Sequence, residues 1–174
     1  MQTLTKPGAS IKSSALTDLL TAALSHVHKS NDLPTLNAVS LSVSDGRLIA
    51  AATDRYRLIE ISTDLEVLSD NFGPLLIPAS EIKRALDLIK ASKTNYSILY
   101  VSDRGLTFSA SDTELKVYSI DGTFPPYQHL LNYTGEYEAV QRIGFNPYFA
   151  ADYAKITGKR DRKSTRLNSS HANI

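Results

Sequence analysis

Aspartate and histidine are the side chains of this sequence best suited to chemistry, and their spacing argues against a catalytic or metal site. Each aspartate that could join a carboxylate cluster sits in a predicted turn, where aspartate is favoured because it hydrogen-bonds the local backbone. These four aspartates are Asp45, Asp54, Asp103 and Asp112. His26 and His28 lie two positions apart on a predicted helix, so their rings point to different faces and cannot share a metal ion.

Other catalytic motifs are also missing from the sequence. It contains no glycine-rich phosphate loop, no Gly-x-Ser-x-Gly elbow and no His-Glu-x-x-His pair. The absence of cysteine excludes disulfides, thiolate catalysis and cysteine-ligated zinc. We therefore predict that the protein is not an enzyme and holds no cofactor and no metal.

Charge and hydropathy place the chain in an ordinary class. It has 174 residues, with 19 basic and 18 acidic side chains, so its total charge gives no indication of nucleic-acid binding. No apolar run approaches the roughly 18 residues that a membrane-spanning helix needs, and the N-terminus lacks the apolar segment of a secretory signal. We predict a cytoplasmic location.

An internal repeat organises the elements that must position any functional side chain. The phrase Val-Ser-Asp-Gly-Arg-Leu at 43–48 returns as Val-Ser-Asp-Arg-Gly-Leu at 101–106, a displacement of 58 positions. Thr-Asp at 53–54 returns as Ser-Asp at 111–112, with the same displacement. The chain is therefore predicted to contain two equivalent units, at about 10–69 and 74–127.

Each predicted unit combines one amphipathic helix with antiparallel strands, which defines an α+β fold class. Apolar residues at helical spacing predict helices over Ser13–Lys29 and from Pro78 to about Lys90. Alternating apolar and polar residues predict the strands, at 39–43, 48–53, 57–62, 75–77, 96–101, 106–110 and 114–120. Asn146 and Pro147 suit the start of a third helix over Tyr148–Ile156.

The C-terminal residues are predicted to fall outside this organisation. Residues 161–171 resemble one reading frame of a common sequencing-library adapter, and we expect 161–174 to be a disordered artefact. The alternative is a natural C-terminus that is disordered and basic. Without this tail the chain carries 16 basic and 17 acidic side chains. The predicted domain organisation is a complete domain at 1–132, then a linker and the truncated start of a similar domain at 133–160.

Four motifs in sequence order resemble one known family. Ala-Thr-Asp-Arg-Tyr-Arg-Leu at 52–58 resembles the Ala-Thr-Asp-Gly-His-Arg-Leu phrase of the bacterial DNA polymerase III beta subunit, the sliding clamp. Ile-Pro-Ala at 77–79 is similar to the strand-to-helix entry of that family. Its Asp-Gly-x-Phe-Pro-x-Tyr and Gly-Phe-Asn phrases are matched at 121–127 and 144–146.

The resemblance implies a DNA-clamp fold, in which the helices of duplicated units lie on one face of antiparallel sheets. Several such domains would close into a homo-oligomeric ring around duplex DNA, loaded by a clamp loader and bound without sequence preference. The implied DNA-facing residues are Lys12, Lys29, Lys83, Arg84, Lys90 and Lys93. The alternative for each of them is an ordinary solvated helix face.

The resemblance also implies an outer pocket that binds short peptides of DNA polymerase and other clamp-binding proteins. The family's pocket positions correspond here to Leu36, Thr53, Arg55, Tyr56, Arg57 and Leu58. Arg55 and Tyr56 depart from the glycine and histidine of the family, which puts the affinity or specificity of the pocket in question. The alternative is a plain strand-turn-strand corner, with Asp54 capping the turn and Arg57 paired to it.

Two other functions stay open at this stage. The first is a clamp-fold module that recruits partners without encircling DNA, and the second is a self-associating scaffold that uses exposed strand edges.

Overall fold

Eleven helices and strands are present in the part of the chain that the computed structural model describes, residues 8–66, 70–102, 104–131, 147–149 and 151. The chain divides into two units, Met1–Gly135 and Glu136–Ile174, and all eleven elements belong to the first unit. In chain order they are β1 (Ala9–Lys12), α1 (Ser13–Leu24), β2 (Ala38–Ser44), β3 (Arg47–Thr53), β4 (Leu58–Asp64), β5 (Phe72–Pro78), α2 (Ala79–Ser92), β6 (Tyr96–Ser102), β7 (Gly105–Ala110), β8 (Thr113–Tyr118) and α3 (Gln128–Leu131).

The eight strands form two four-stranded sheets with antiparallel neighbours. One sheet has the order β4-β3-β2-β5 and the other β1-β6-β7-β8. The β2–β3 hairpin closes at Asp45 and Gly46, whose φ angles of 52° and 74° suit the two-residue turn predicted there. The first strand of each repeat pairs with the sheet of the other repeat, since β1 pairs with β6 and β5 with β2. Neither repeat can therefore complete its sheet alone.

The hydrogen bonds repeat with the same symmetry as the strands. Exchanging β1-α1-β2-β3-β4 for β5-α2-β6-β7-β8 converts one sheet order into the other. Three backbone hydrogen bonds of one repeat each have a counterpart in the other. Ser13 N donates to Asn95 O (2.9 Å) as Ala79 N does to Asn37 O (3.0 Å). The other two pairs are Glu66 N to Ser10 O (2.8 Å) with Ile120 N to Leu76 O (2.9 Å), and Leu65 N to Gly46 O (3.0 Å) with Ser119 N to Arg104 O (2.8 Å). The duplication seen in the sequence is thus a pseudo-twofold arrangement in space.

Both helices and both sheets contribute to a single core. The apolar stripe of α1 and that of α2 are buried, and they share one cluster with the strand residues that face them. The largest fully buried members include Leu16, Leu20, Ile82, Leu99 and Phe108. This arrangement confirms the predicted α+β class, in which two helices pack against antiparallel sheets.

The two repeats differ at one buried pair in this core. The hydroxyl groups of Ser13 and Ser97 are hydrogen-bonded, with 2.9 Å between the oxygens. The equivalent positions in the other half are Ala79 and Val39, which are also buried but apolar. The hydroxyl pair is therefore a local polar substitution inside an otherwise repeated apolar contact.

A second, smaller apolar cluster lies on the opposite face of the β4-β3-β2-β5 sheet. Its buried members are Ala38, Ala51, Leu76, Phe124 and Tyr127. Neighbouring residues of the same strands face the main core, as the alternation of a strand requires. The segment that follows β8 therefore covers part of the outer face of this sheet.

The predicted first helix is too long. We predicted Ser13–Lys29, but α1 ends at Leu24. The Ser25 hydroxyl donates to the Ala22 carbonyl at 2.7 Å, and this local hydrogen bond competes with continuation of the helix. Val27, which lies in the turn after α1, is nevertheless buried. The apolar spacing therefore continued past the end of the helix.

Two short elements, β1 and α3, were not predicted, and other predictions lie outside the described residues. β1 has only four residues, and it is held by pairing with β6. Residues 147–149 and 151 are helical, as predicted, while the remainder of the helix predicted at Tyr148–Ile156 lies outside the description. Asp103, nearly all of 133–160 and the adapter-like segment 161–174 lie outside it as well.

Candidate functional site

The exposed face of α2 carries three of the six basic residues proposed to face DNA, and a fourth lies just past its end. Its apolar stripe is buried against the core, which leaves the other side of the helix in solvent. These residues, all exposed, are Lys83, Arg84 and Lys90 on α2 and Lys93 after it, and the exposed Asp87 lies between Lys83 and Lys90 on the same face. Arg84 is paired with Glu81 at 2.8 Å, and Lys93 ends the helix in the left-handed conformation.

The other two basic candidates lie in different elements. Lys12 is the last residue of β1, and its ammonium group is 3.2 Å from the carboxylate of Glu66. Lys29 is exposed in the loop after α1. The structure therefore does not bring these two lysines onto α2.

The two helices differ in charge although they are equivalent by the pseudo-twofold. Lys83 and Arg84 of α2 correspond to Thr17 and Asp18 of α1. The exposed positions of α1 contain no basic residue. Of the two equivalent helices, only α2 therefore carries basic residues.

The β3–β4 turn brings five of the six proposed pocket residues together, and its backbone is tightly held. Thr53 and Leu58 form the last pair of the two strands. The Thr53 hydroxyl donates to the Arg57 carbonyl at 2.7 Å and accepts from the Arg55 N–H at 3.2 Å. The Asp54 N–H donates to the Arg57 carbonyl at 3.3 Å, which closes the turn.

Asp54 organises this turn from within. Its Oδ1 accepts the N–H groups of Tyr56 and Arg57 at 3.0 and 2.8 Å, and its Oδ2 accepts Nε and Nη2 of Arg57 at 2.9 and 2.7 Å. Burial of the Asp54 carboxyl acts to raise its pKa, but the hydrogen bonds from Arg57 and Tyr56 outweigh burial and lower the pKa below its usual value. Arg57 also donates to the Ser25 carbonyl at 3.4 Å, which ties the turn to the segment just after α1.

Arg55 and Tyr56 occupy the tip of the turn. The φ angle of Arg55 is 81°, in the left-handed region that favours glycine. Tyr56 is 80% exposed. The hydrogen bonds of the turn use the backbone of these two residues, so their side chains extend from a fixed base.

The apolar residues of the proposed pocket lie deeper. Leu58 is half-buried and packs against the second apolar cluster. Leu36 is buried in the loop between α1 and β2, where its carbonyl accepts the His28 N–H at 2.9 Å. Leu36 is not a member of the cluster that Leu58 joins.

Sequence reasoning missed the residue that anchors the segment after β8 beside this site. The Tyr127 hydroxyl donates to the Glu60 carboxylate at 2.6 Å, and the Tyr127 ring meets Phe124 edge-on at 5.7 Å. Burial and the neighbouring Glu60 raise the pKa of Tyr127 far above its usual value. Both aromatic residues belong to the phrase at 120–127 that was noted only as a family motif.

The described ranges offer little for other kinds of site. They contain no group of three or more histidine, aspartate or glutamate side chains that could hold a metal ion. No helix within these ranges is long and apolar enough to cross a membrane. A cavity of about 490 Å³ is lined by Leu75, Arg104, Tyr118, Ser119 and Asp121, none of which is a proposed site residue.

Comparisons with known proteins converge on one family. A family model described as DNA polymerase III beta subunit, central domain, matches residues 10–126. No curated protein matches the chain.

Similar solved structures include the DNA polymerase sliding clamps of Pseudomonas aeruginosa (22% identity, TM-score 0.66) and Bacillus subtilis (20%, 0.66), and the beta sliding clamp of C. crescentus (21%, 0.65). The chain is covered to 78%, 76% and 75% by these matches, but they span only 37%, 35% and 36% of the clamps themselves.

Proposed function

The chain belongs to the DNA polymerase III beta subunit family, and on this premise we propose that it serves as one arc of a sliding clamp. In this proposal the intact protein is a homo-oligomeric ring that encircles duplex DNA in the cytoplasm, after opening by a clamp loader. It tethers DNA polymerase through short peptides and has no catalytic activity. The bacterial sliding clamps that share its fold support this proposal.

The observation that carries the DNA part of the proposal is the set of exposed cations on α2, Lys83 and Lys90 above all, which outnumber the exposed Asp87 that lies between them. A ring retains DNA by topology, so its lining needs only a few cations and the protein needs no net positive charge. Lysine side chains on a helix face meet phosphates without reading bases, which suits a protein that must slide. Because α1 lacks equivalent charges, we expect α2 to make most of the DNA contacts of this domain.

DNA binding by the chain tests this part of the proposal. We expect weak binding to a 30-base-pair duplex, measured by fluorescence anisotropy, with no sequence preference and a steep decline with salt. Replacing Lys83 and Lys90 with glutamine should reduce the slope of log K against log salt by about 2, because about 0.9 counterions are released for each phosphate contact. Lys116→Gln, at an exposed position of β8, is the matched control and should leave the slope unchanged.

Two results would contradict the DNA proposal. One is binding that survives physiological salt or prefers one sequence. The other is an unchanged salt slope in the Lys83 and Lys90 double variant.

The peptide part of the proposal rests on the β3–β4 turn and its surroundings. The proposed partner site consists of Leu36, Thr53, Arg55, Tyr56, Arg57 and Leu58. Half-buried Leu58 supplies apolar surface beside the exposed tip, while Arg57 is engaged by Asp54 and so supports the shape of the turn. We therefore propose that Leu58 contacts the peptide and that Arg57 is a positioning residue.

Peptide titration separates these two roles. Leu58→Ala and Arg57→Ala should both weaken binding of a polymerase-derived clamp peptide, measured by fluorescence anisotropy. Arg57→Ala should also lower the free energy of unfolding in urea, because it leaves the Asp54 carboxylate without its partner. Unchanged affinity in both folded variants would remove the turn from the site.

A second function is favoured by the uneven charge of the two helices. With no basic residue at the exposed positions of α1, the domain would also suit a clamp-fold module that recruits partners without encircling DNA. Peptide binding by a chain that shows no DNA binding even at low salt would support this alternative over the ring.

A further inference from the structure

The tip of the β3–β4 turn presents a cation and an aromatic ring side by side. Arg55 and Tyr56 are adjacent in sequence, and both are exposed, Tyr56 to 80%. Tyrosine offers a large amphipathic contact surface with few rotatable bonds, so it is well suited to a binding surface. This pair lies one residue from Arg57 and two from Leu58, which places it at the mouth of the proposed partner site.

In the described part of the chain, the guanidinium group of Arg55 lacks the ion pair that three other arginines of the domain make. Arg47, Arg57 and Arg84 are each within 3.0 Å of a carboxylate oxygen. Within the described residues, Arg55 makes no such ion pair. With no carboxylate partner among these residues, its positive charge can pair with a carboxylate on a binding partner.

The turn is also ordered before any partner arrives. Asp54 and Thr53 accept the N–H groups of Arg55, Tyr56 and Arg57, so the backbone at the tip is already fixed. Binding to a fixed loop avoids much of the entropy cost of ordering it. Arg55 holds a left-handed conformation that only glycine adopts freely, so a long cationic side chain is kept here at a conformational cost.

We propose that Arg55 and Tyr56 select partner peptides that carry an aspartate or glutamate beside their apolar residues. In such a complex the Arg55 guanidinium pairs with the peptide carboxylate, while the Tyr56 ring packs on the adjoining apolar side chain. This inference rests on the proposed function, because it assigns a preference to the same partner site. Since the pair is exposed, we expect a preference of about three- to fivefold, and we expect salt to weaken it.

A positional scan of one peptide tests the preference. A polymerase-derived clamp peptide is synthesised with aspartate placed in turn at each position that is not apolar, and each form is compared with its asparagine counterpart. Dissociation constants are measured by fluorescence anisotropy at about 50 and 500 mM salt, values chosen to span weak and strong screening. At one position or more, the aspartate form should bind about three- to fivefold more tightly at low salt, and this ratio should approach one at high salt.

Variants of the chain assign the preference to its residue. Arg55→Gly, which suits the left-handed backbone, should reduce the aspartate-to-asparagine ratio to one, and Arg55→Lys should keep part of it. Lys116→Glu, a charge change on β8 of the other sheet, should leave the ratio unaltered. The salt dependence of the unmodified protein provides the same test without any substitution.

The outcomes distinguish the inference from the function on which it depends. Equal binding of the aspartate and asparagine forms at every position would overturn the inference and leave the proposed peptide site standing. A full ratio retained in Arg55→Gly would overturn the assignment to Arg55. Failure of every peptide to bind the folded protein would remove both the peptide site and the inference.

Discussion

Removing the Asp54 carboxylate should cost more free energy of unfolding than removing any exposed ion pair of this domain. The carboxylate accepts two backbone N–H groups and two N–H groups of Arg57, and the two side chains are only 16% and 14% exposed. Breaking one side of a buried pair costs about 3–5 kcal/mol, and the residual exposure favours the lower end. We therefore expect Asp54→Ala to lower the free energy of unfolding by about 3 kcal/mol.

Asparagine at the same position separates the turn from the ion pair. Asp54→Asn retains an oxygen that can accept the N–H groups of Tyr56 and Arg57, but it loses the charge that pairs with the guanidinium group. We expect this variant to lose about 1–2 kcal/mol, because hydrogen bonds to charged groups are stronger than neutral ones by roughly that amount. Asp64→Asn is the control, since the exposed Asp64–Arg47 pair should contribute less than about 1 kcal/mol.

Urea titrations followed by far-UV circular dichroism measure these differences. The pKa of Asp54 is lowered in the folded protein, so the stability that the pair provides is complete above the ordinary carboxyl pKa of 3.8. It is lost as the pH falls through the lower folded-state pKa, and the gap between the unmodified protein and Asp54→Asn should close there. The reasoning is refuted if Asp54→Asn costs as much as Asp54→Ala, or if both cost no more than Asp64→Asn.

Four further substitutions test three other parts of the structure by urea unfolding. The pKa of the Tyr127 hydroxyl is raised above its unfolded-state value of 10.0, so the free energy of unfolding should fall as the pH rises past 10.0. Tyr127→Phe should make this fall shallower by up to about 1.4 kcal/mol per pH unit. An identical slope in the variant would contradict this prediction. Ser13→Ala and Ser97→Val should each lower the free energy of unfolding by about 1 kcal/mol, because each leaves one buried hydroxyl unpaired. The double variant should lose less than the sum of the two single losses. Losses that simply add would argue against the hydroxyl pair. Arg55→Gly should raise the free energy of unfolding by roughly 0.5 kcal/mol, since relief of the left-handed strain slightly exceeds the entropy that glycine adds to the unfolded chain; a loss of stability would show that Arg55 makes a stabilising contact.

The strand and helix patterns of the first unit could be predicted because they depend on local sequence. Alternation at Val39, Leu41 and Val43 indicated a strand with one buried face, and these residues are buried in β2. The α2 stripe of Ile82 and Ile89 was likewise identified from its spacing. Contacts between distant residues were not predicted, and the hydrogen bond between Tyr127 and Glu60, 67 positions apart, is an example.

Part of the candidate partner site could also be predicted, because that part depends on local sequence. Residues 53–58 are contiguous, so their meeting in one turn follows from the sequence alone. The pairing of Asp54 with Arg57 was one of two alternatives at that stage, and the structure shows that this pairing forms. The attachment of Arg57 to the Ser25 carbonyl joins residues 32 positions apart, which no local pattern indicates.

By itself, the sequence determined the duplication, the α+β class, the two amphipathic helices and most strands, because residue spacing along the chain decides which side chains share a face. Only the tertiary structure decided that β1 and β5 exchange sheets, that Val27 enters the core beyond the end of α1, and that Phe124 and Tyr127 cover the outer face of a sheet. These features arise from contacts between residues far apart in the chain. Local propensity leaves several outcomes open at such places, and burial of apolar surface together with satisfaction of backbone hydrogen bonds selects one of them.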